Sequence, residues 1–195
     1  LRYHTLRGLV ALKLGDNAGA LRGFDAAIAT GQAEPMLHVQ RAQALYGLQR
    51  PAEAIAALDD AAEAGESLPG AWQLRARAHR DLGNEDGAWS AFDAGRGRFP
   101  THLGLAEDQL LQLIDLGLTR EALDHAPELT TLGADVHLWL AIGDRLRQAS
   151  ALDDAMAWLE DARARFPNET GPRVALAGAC LDADRPLCAA TMLQE

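Results

Sequence analysis

The chain has 195 residues and a formal net charge of −10, and 48% of its residues are hydrophobic although only 5% are aromatic. Such an acidic chain is a poor match for a phosphate backbone, so nucleic acid is excluded as the expected partner. No stretch approaches the roughly 18 to 20 apolar residues of a membrane span. Alanine and leucine are abundant and β-branched residues are few, which predicts an all-α protein.

The predicted helices follow one another as hairpins, because small and large apolar residues recur along the chain at steps of 34 or 33 residues. One column of small residues holds Ala20, Ala54, Ala88, Ala122, Ala155 and Ala189. A second column holds Gly8, Ala42, Ala76, Leu110, Gly143 and Ala177, and only Leu110 in it is large. A third column is mostly large and holds Phe24, Leu58, Phe92, Ala126, Leu159 and Leu193. We expect small residues to let the two helices of a hairpin approach closely, and large ones to fill the gap to the next hairpin.

The same period marks the turns and the helix starts. The turn column holds Gly15, Gln49, Gly83, Gly117, Ser150 and Asp184. Prolines at positions 35, 51, 69 and 186 stand where helices are expected to begin, where a missing N–H costs little. Ser150 followed by Asp153 predicts a capping box at the start of a helix. Pro127 lies inside the expected second helix of the fourth hairpin and should shorten or kink it.

A helix–turn–helix unit of about 34 residues with these columns resembles the tetratricopeptide repeat, abbreviated TPR. Trp72 and Trp139, 67 residues apart, stand two repeats from each other. The resemblance implies a right-handed α-solenoid that forms one domain over residues 1–195. The expected repeats are 1–34, 35–68, 69–102, 103–135, 136–169 and a truncated 170–195. Since the chain begins and ends within the pattern, we expect it to be a piece of a longer protein.

Catalytic chemistry has little support in the sequence. No nucleophile motif, phosphate-binding loop or metal-ligand spacing is present, so we expect neither an enzyme nor a bound cofactor or metal ion. Trp158 is interpreted either as a packing residue or as a surface residue that marks a contact patch.

Cys180 and Cys188 are the only cysteines, and the turn residue Asp184 lies midway between them. Two antiparallel helices joined there would bring the cysteines opposite each other, close to the separation that a disulfide needs. The spacing resembles the intra-hairpin bridges of Sel1-like repeat proteins. The alternative is a pair of buried free thiols that only pack.

The resemblance also implies where a partner would bind. In TPR proteins one face of each first helix lines a concave groove that takes a peptide, a helix or a protein surface. The corresponding residues here are Gln43, Tyr46, Gln73, Arg77, Arg80, Leu111, Leu140, Asp144 and Arg147. Arg77 and Arg80 lie one turn apart and could bind an anionic group, or could instead pair with acidic neighbours.

The expected function is therefore a non-enzymatic scaffold that binds another protein. Residues 1–102 carry 11 basic and 12 acidic residues, whereas residues 103–195 carry 7 and 16, so the second half holds nearly all the excess charge and favours a basic partner. A disulfide would place the protein in the bacterial periplasm, where related arrays organise envelope-assembly or exopolysaccharide-export complexes. The alternative is a cytoplasmic location, as the recognition arm of an enzyme whose catalytic domain lies outside this chain.

Overall fold

The computed structural model describes residues 2–31, 34–61 and 65–194, and these residues form helices and connecting turns with no strand. In chain order the helices are α1 (Arg2–Lys13), α2 (Asn17–Ala29), α3 (Pro35–Gly47), α4 (Pro51–Asp60), α5 (Pro69–Asp81), α6 (Glu85–Arg98), α7 (Leu103–Asp115), α8 (Thr119–Asp124), α9 (Ala126–Thr131), α10 (Val136–Gln148), α11 (Leu152–Arg165), α12 (Gly171–Asp182) and α13 (Pro186–Gln194). The chain divides into two compact units, Leu1–Leu105 and Ala106–Glu195.

The first unit contains three hairpins. Helix α1 packs on α2, α3 on α4 and α5 on α6. Each second helix also contacts the next first helix, α2 against α3 and α4 against α5, and the first helices α3 and α5 contact each other. Neighbouring hairpins therefore share their apolar faces, as expected of a repeat whose single unit has too little core to be stable alone.

The predicted columns form the core of the first unit. Ala20, Ala42, Ala54, Ala76 and Ala88 are completely buried. The larger residues are buried with them, and they are Phe24, Leu58 and Phe92. A Cβ built on Gly8 would lie only 2.7 Å from the Phe24 ring, so the absence of a side chain at position 8 makes room for that ring. In the first unit, small residues lie where helices approach closely and large residues fill the space between helices, as predicted.

In the second unit α10 packs on α11 and α12 on α13, while α11 also contacts α12. The second helix of the fourth hairpin is split into α8 and α9 at His125. Pro127 follows the break and has no backbone N–H to continue the helix, so the predicted interruption is confirmed. Leu193, a member of the large-residue column, is 64% exposed, since the described chain contains no hairpin after α13.

Each predicted turn residue adopts a left-handed backbone conformation. The φ angles are 76° at Gly15, 59° at Gln49, 69° at Gly83, 77° at Gly117, 60° at Ser150 and 55° at Asp184. The turn ends the preceding helix in the manner of a Schellman motif, because the N–H of Ala151 bonds the carbonyl of Leu146 at 3.0 Å. The capping box predicted at Ser150 is wrong: Ser150 belongs to this turn, and α11 begins after Ala151 with no side-chain cap.

Candidate functional site

The first unit exposes one face of its first helices, and we call this the first-helix face. It consists of Gln43 and Tyr46 on α3 with Gln73, Arg77 and Arg80 on α5. Gln43 is exposed and the other four are half-buried. Because α3 and α5 contact each other along the unit, these side chains line neighbouring helices rather than isolated surfaces.

Tyr46 connects the two helices electrostatically. Burial raises the pKa of the Tyr46 hydroxyl, and its hydrogen bond to the Asp81 carboxylate on α5 raises it further. The positive charges of Arg80 and Arg77 act on the same hydroxyl and lower its pKa. The structure thus brings Tyr46, Arg77 and Arg80 together, as a common groove requires. Asp81 also belongs to this group of residues around the Tyr46 hydroxyl. It was not among the predicted site residues, although it follows Arg77 by one helical turn.

In the second unit, Leu140, Asp144 and Arg147 lie on one face of α10, which contacts α12. Leu140 reaches the start of α12, where a Cβ on Gly171 would lie 2.9 Å from its Cδ1. Leu111 lies on α7 and is half-buried. The site residues predicted for the second unit are therefore accessible. They form a group separate from the predicted site residues of the first unit.

Arg147 is committed to ion pairs inside the second unit. Its Nη2 lies 2.7 Å from the Asp182 carboxylate on α12, and its Nη1 lies 3.6 Å from Asp144. Asp144 also accepts a 2.7 Å hydrogen bond from the Gln148 amide. Arg147 therefore ties α10 to α12.

Trp158 is not a surface residue. It is 2% exposed, and its ring stacks on that of Trp139 with centroids 4.3 Å apart. Its indole N–H donates to the backbone carbonyl of Trp139 at 2.8 Å. The alternative in which Trp158 marks a contact patch is therefore wrong, because the whole side chain is used in packing α11 on α10.

Cys180 on α12 and Cys188 on α13 are joined by a disulfide across the last hairpin, with Cα atoms 5.8 Å apart. The Cys180 sulfur is completely buried and lies 3.8 Å from the Met156 sulfur. The turn at Asp184 places the two cysteines opposite each other. The bridge links two helices that already pack together, so it fixes the end of the second unit.

The disulfide predicts a simple chemical result. Protein purified without reductant should gain no mass on alkylation, whereas protein reduced in denaturant first should gain two alkyl groups. Closing so short a loop should stabilise the folded chain by roughly 2 to 3 kcal/mol, which a urea titration with and without reductant measures. Two alkyl groups on the unreduced protein would show that the thiols are free.

Among residues 2–31, 34–61 and 65–194, no group of three or more His, Cys, Asp or Glu side chains is placed to hold a metal ion. Within the same residues no helix is both long enough and apolar enough to cross a bilayer.

Stacked helix–turn–helix hairpins with small residues at the intra-hairpin contacts define the chain as an all-α protein with the fold of TPR solenoids, as predicted. The sequence matches no protein-family model and no curated protein.

Solved structures are similar in fold. The C-terminal part of a TPR repeat-containing protein from Cytophaga hutchinsonii has a TM-score of 0.73 at 15% identity, over 96% of this chain and 75% of that one. YrrB, described as a TPR protein with an unusual peptide-binding site, has a TM-score of 0.58 at 18% identity, over 90% of this chain and 91% of its own. PilW, a type IV pilus biogenesis factor, has a TM-score of 0.57 at 20% identity, over 82% and 74% respectively.

Proposed function

We propose that the chain is a non-enzymatic scaffold that binds another protein through the exposed faces of its first helices. The observation that carries this proposal is the grouping of Tyr46, Arg77 and Arg80 across α3 and α5. A half-buried aromatic ring beside guanidinium groups combines an anchor with charged groups that select a partner. The fold supports it, because stacked hairpins offer extended surfaces to polypeptides.

The proposal includes the second unit as well. There Leu111, Leu140, Asp144 and Arg147 are the candidate contacts. Residues 103–195 carry a net charge of −9, and such a surface attracts a basic partner and speeds its association. The first-helix face would in turn take a carboxylate of that partner on Arg77 and Arg80.

The cellular role that we propose is the organisation of a bacterial envelope complex, such as an exopolysaccharide-export machine, in the periplasm. Support comes from the Cys180–Cys188 disulfide, since such bonds persist in oxidising compartments. PilW, a type IV pilus biogenesis factor, has the same fold. Two free thiols would favour the competing proposal, a recognition arm of a cytoplasmic enzyme, so the alkylation measurement described above also bears on the location.

Reversing both charges on the first-helix face should reduce binding. In the double variant Arg77→Glu/Arg80→Glu, the loss of charge-assisted hydrogen bonds should lower affinity by about 10- to 100-fold at low salt. The difference should shrink at high salt, where surface charges are screened beyond roughly 8 to 10 Å. Wild type and variant are used as bait in the source organism's extract, and the captured protein is then titrated against both.

The matched control is Arg22→Glu/Arg120→Glu, which changes the net charge equally at two exposed positions on second helices. It should retain the partner. Circular dichroism checks that each variant is folded, as expected because Arg77 and Arg80 lie outside the core columns. Equal affinities of wild type and both variants at both salt concentrations would contradict binding on the first-helix face.

A further inference from the structure

The first unit contains a cleft of about 410 Å³ between α4, α5 and α6. Its apolar wall is formed by Leu58, Ala71, Trp72 and Ala91. The side of the cleft formed by α6 carries only small residues, and they are Gly87, Ser90, Ala91 and Ala94. A concave, largely apolar space of this size with a few polar groups at its edge is the usual form of a binding site.

The cleft lies on a different side of α5 from the first-helix face. Trp72, Arg75 and His79 of α5 line the cleft, whereas Gln73, Arg77 and Arg80 belong to the first-helix face. At about 100° per residue the two sets point roughly 130° apart around the helix. A ligand in the cleft would therefore leave the first-helix face free.

A second hairpin of the same chain has a side chain at the position that corresponds to the cleft. The hairpin α10–α11 repeats α5–α6 at an offset of 67 residues: 69–81 becomes 136–148, and 85–98 becomes 152–165. The turns agree too, since Gly83 and Ser150 both have positive φ. The two hairpins can therefore be compared residue by residue.

In the α10–α11 hairpin an indole ring occupies the position in question. Trp158 stacks on Trp139 at 4.3 Å with an angle of 22° between the rings, and its N–H donates to the Trp139 carbonyl. Trp139 is covered by Trp158 and by the Arg165 guanidinium, which lies 4.9 Å from the ring centroid, and it has no exposed surface. In this hairpin, an aromatic side chain of the same chain therefore fills the position.

In the α5–α6 hairpin that ring is missing. The counterpart of Trp139 is Trp72, and the counterpart of Trp158 is Ala91, so α6 has no indole at the position that Trp158 occupies in the other hairpin. Trp72 packs against the core cluster that includes Ala91. Trp72 is partly exposed, and its own N–H is occupied by a 3.1 Å hydrogen bond to the Glu66 carbonyl. An open cleft beside a fixed, partly exposed indole is what distinguishes this hairpin.

The α5–α6 hairpin also differs from the α10–α11 hairpin at the edge of the cleft, where polar residues stand in place of buried apolar ones. The counterparts of Ile142 and Leu146, both completely buried, are Arg75 and His79. Arg75 forms a 2.6 Å ion pair with Asp59, so the guanidinium charge is balanced within the unit. Polar side chains at these positions keep the space open to water instead of closing it as core.

The His79 ring is held neutral. The Asn84 amide oxygen accepts from the N–H of Gly87, which turns the Asn84 amide nitrogen toward His79 Nδ1 at 3.1 Å. Nδ1 therefore accepts a hydrogen bond, and the ring proton is on Nε2. Burial lowers the pKa of His79, the Arg75 charge lowers it further, and the Asp59 carboxylate acts in the opposite direction without reversing the shift. The cleft consequently presents a neutral ring and a balanced ion pair, which suits an uncharged aromatic group.

We propose that this cleft is a docking site for a tryptophan side chain of a partner protein, which stacks on Trp72 as Trp158 stacks on Trp139. The backbone carbonyl of Trp72 is the counterpart of the acceptor that Trp158 uses, so an indole should bind more tightly than a phenyl ring. Aromatic side chains buried in such pockets are frequent anchors of protein interfaces. The site is independent of the partner proposed for the first-helix face.

The test uses the whole chain, labelled with ¹⁵N, and the pentapeptide acetyl-Gly-Gly-Trp-Gly-Gly-amide as the probe. Of the four tryptophan indole signals, that of Trp72 should shift saturably on titration. The same peptide with phenylalanine should bind more weakly, and that with leucine more weakly still.

Two variants on α6 locate the binding. Ala94→Arg, at an exposed position on the wall of the cleft, should weaken the peptide by about tenfold or more, because the new side chain covers the opening. Gly97→Arg, one turn further, is the matched control, since nothing lies within 4 Å of a Cβ there. Ala91→Trp should abolish binding by supplying the missing ring, and Arg77→Glu/Arg80→Glu should leave it unchanged.

The proposal would be overturned by an unshifted Trp72 signal, by equal binding of the leucine and tryptophan peptides, or by equal effects of Ala94→Arg and Gly97→Arg. Ala94 is exposed, so that comparison remains decisive if Ala91→Trp does not fold. None of these outcomes depends on whether a partner binds the first-helix face.

Discussion

Replacing Trp158 with alanine should lower the free energy of unfolding by about 3 to 5 kcal/mol, the usual cost of removing a large buried aromatic side chain. The side chain is 2% exposed, stacks on Trp139 and donates a hydrogen bond to the Trp139 carbonyl. The substitution removes all three contributions and leaves an indole-sized cavity. Urea denaturation followed by circular dichroism measures the loss.

Trp89→Ala is the matched control for this prediction. Trp89 lies on α6, is half-buried, and makes an edge-to-face contact with Phe92 at 6.4 Å. Its loss should cost clearly less than the loss of Trp158. Free indole should also raise the melting temperature of Trp158→Ala, because apolar cavities of this kind bind small aromatic molecules. Equal losses for the two variants would show that the Trp139–Trp158 stack does not stabilise the second unit.

Replacing Gly23 with valine should destabilise the first unit by about 3 kcal/mol, at the upper end of the cost of overpacking. A Cβ on Gly23 would lie 2.7 Å from both the N and Cα atoms of Gly8. These are backbone atoms of α1, so no side-chain rotation can relieve the clash, and α1 must move away from α2. The midpoint of urea denaturation should fall accordingly.

The same substitution at Gly97 tests whether the clash is responsible. Gly97 is helical and exposed, and a Cβ there would have no neighbour within 4 Å. Gly97→Val should change stability by less than about 0.5 kcal/mol, since valine has a better helix propensity than glycine. If Gly23→Val were equally neutral, the close approach of α1 and α2 would not exist in solution.

The hairpins were predictable from the sequence because they depend on residue size at fixed intervals. Gln49, Ser150 and Asp184 show this well: none is glycine, yet period alone predicted the turns at which they have positive φ. Pro127 likewise predicted the break between α8 and α9, since the missing N–H acts locally.

The site was less accessible to this reasoning, because its contacts depend on how one helix is rotated against another. The hydrogen bond between Tyr46 and Asp81 joins α3 and α5, and no local pattern specifies that pair. Trp158 shows the same limit, since the sequence left open whether it packs in the core or lies at the surface. Its burial depends on the matching Trp139 ring. Comparing the two hairpins at the 67-residue offset would have shown Ala91 in place of Trp158, but not that a cleft results.

The helices of α5–α6 and α10–α11 begin and end at equivalent residues, so the two hairpins have the same helix and turn lengths. A segment of some thirty residues can be moved from one place to the other without changing the number of residues in either helix or in the turn between them. The backbone is the same in both hairpins, and a few side chains determine whether a hairpin has a cleft. Alanine or tryptophan in the middle of the second helix, together with polar or apolar residues on the first helix, distinguishes the hairpin with a cleft from the hairpin with a closed core. On the proposed docking function, a few substitutions within an unchanged backbone would add such a site to a hairpin or remove it.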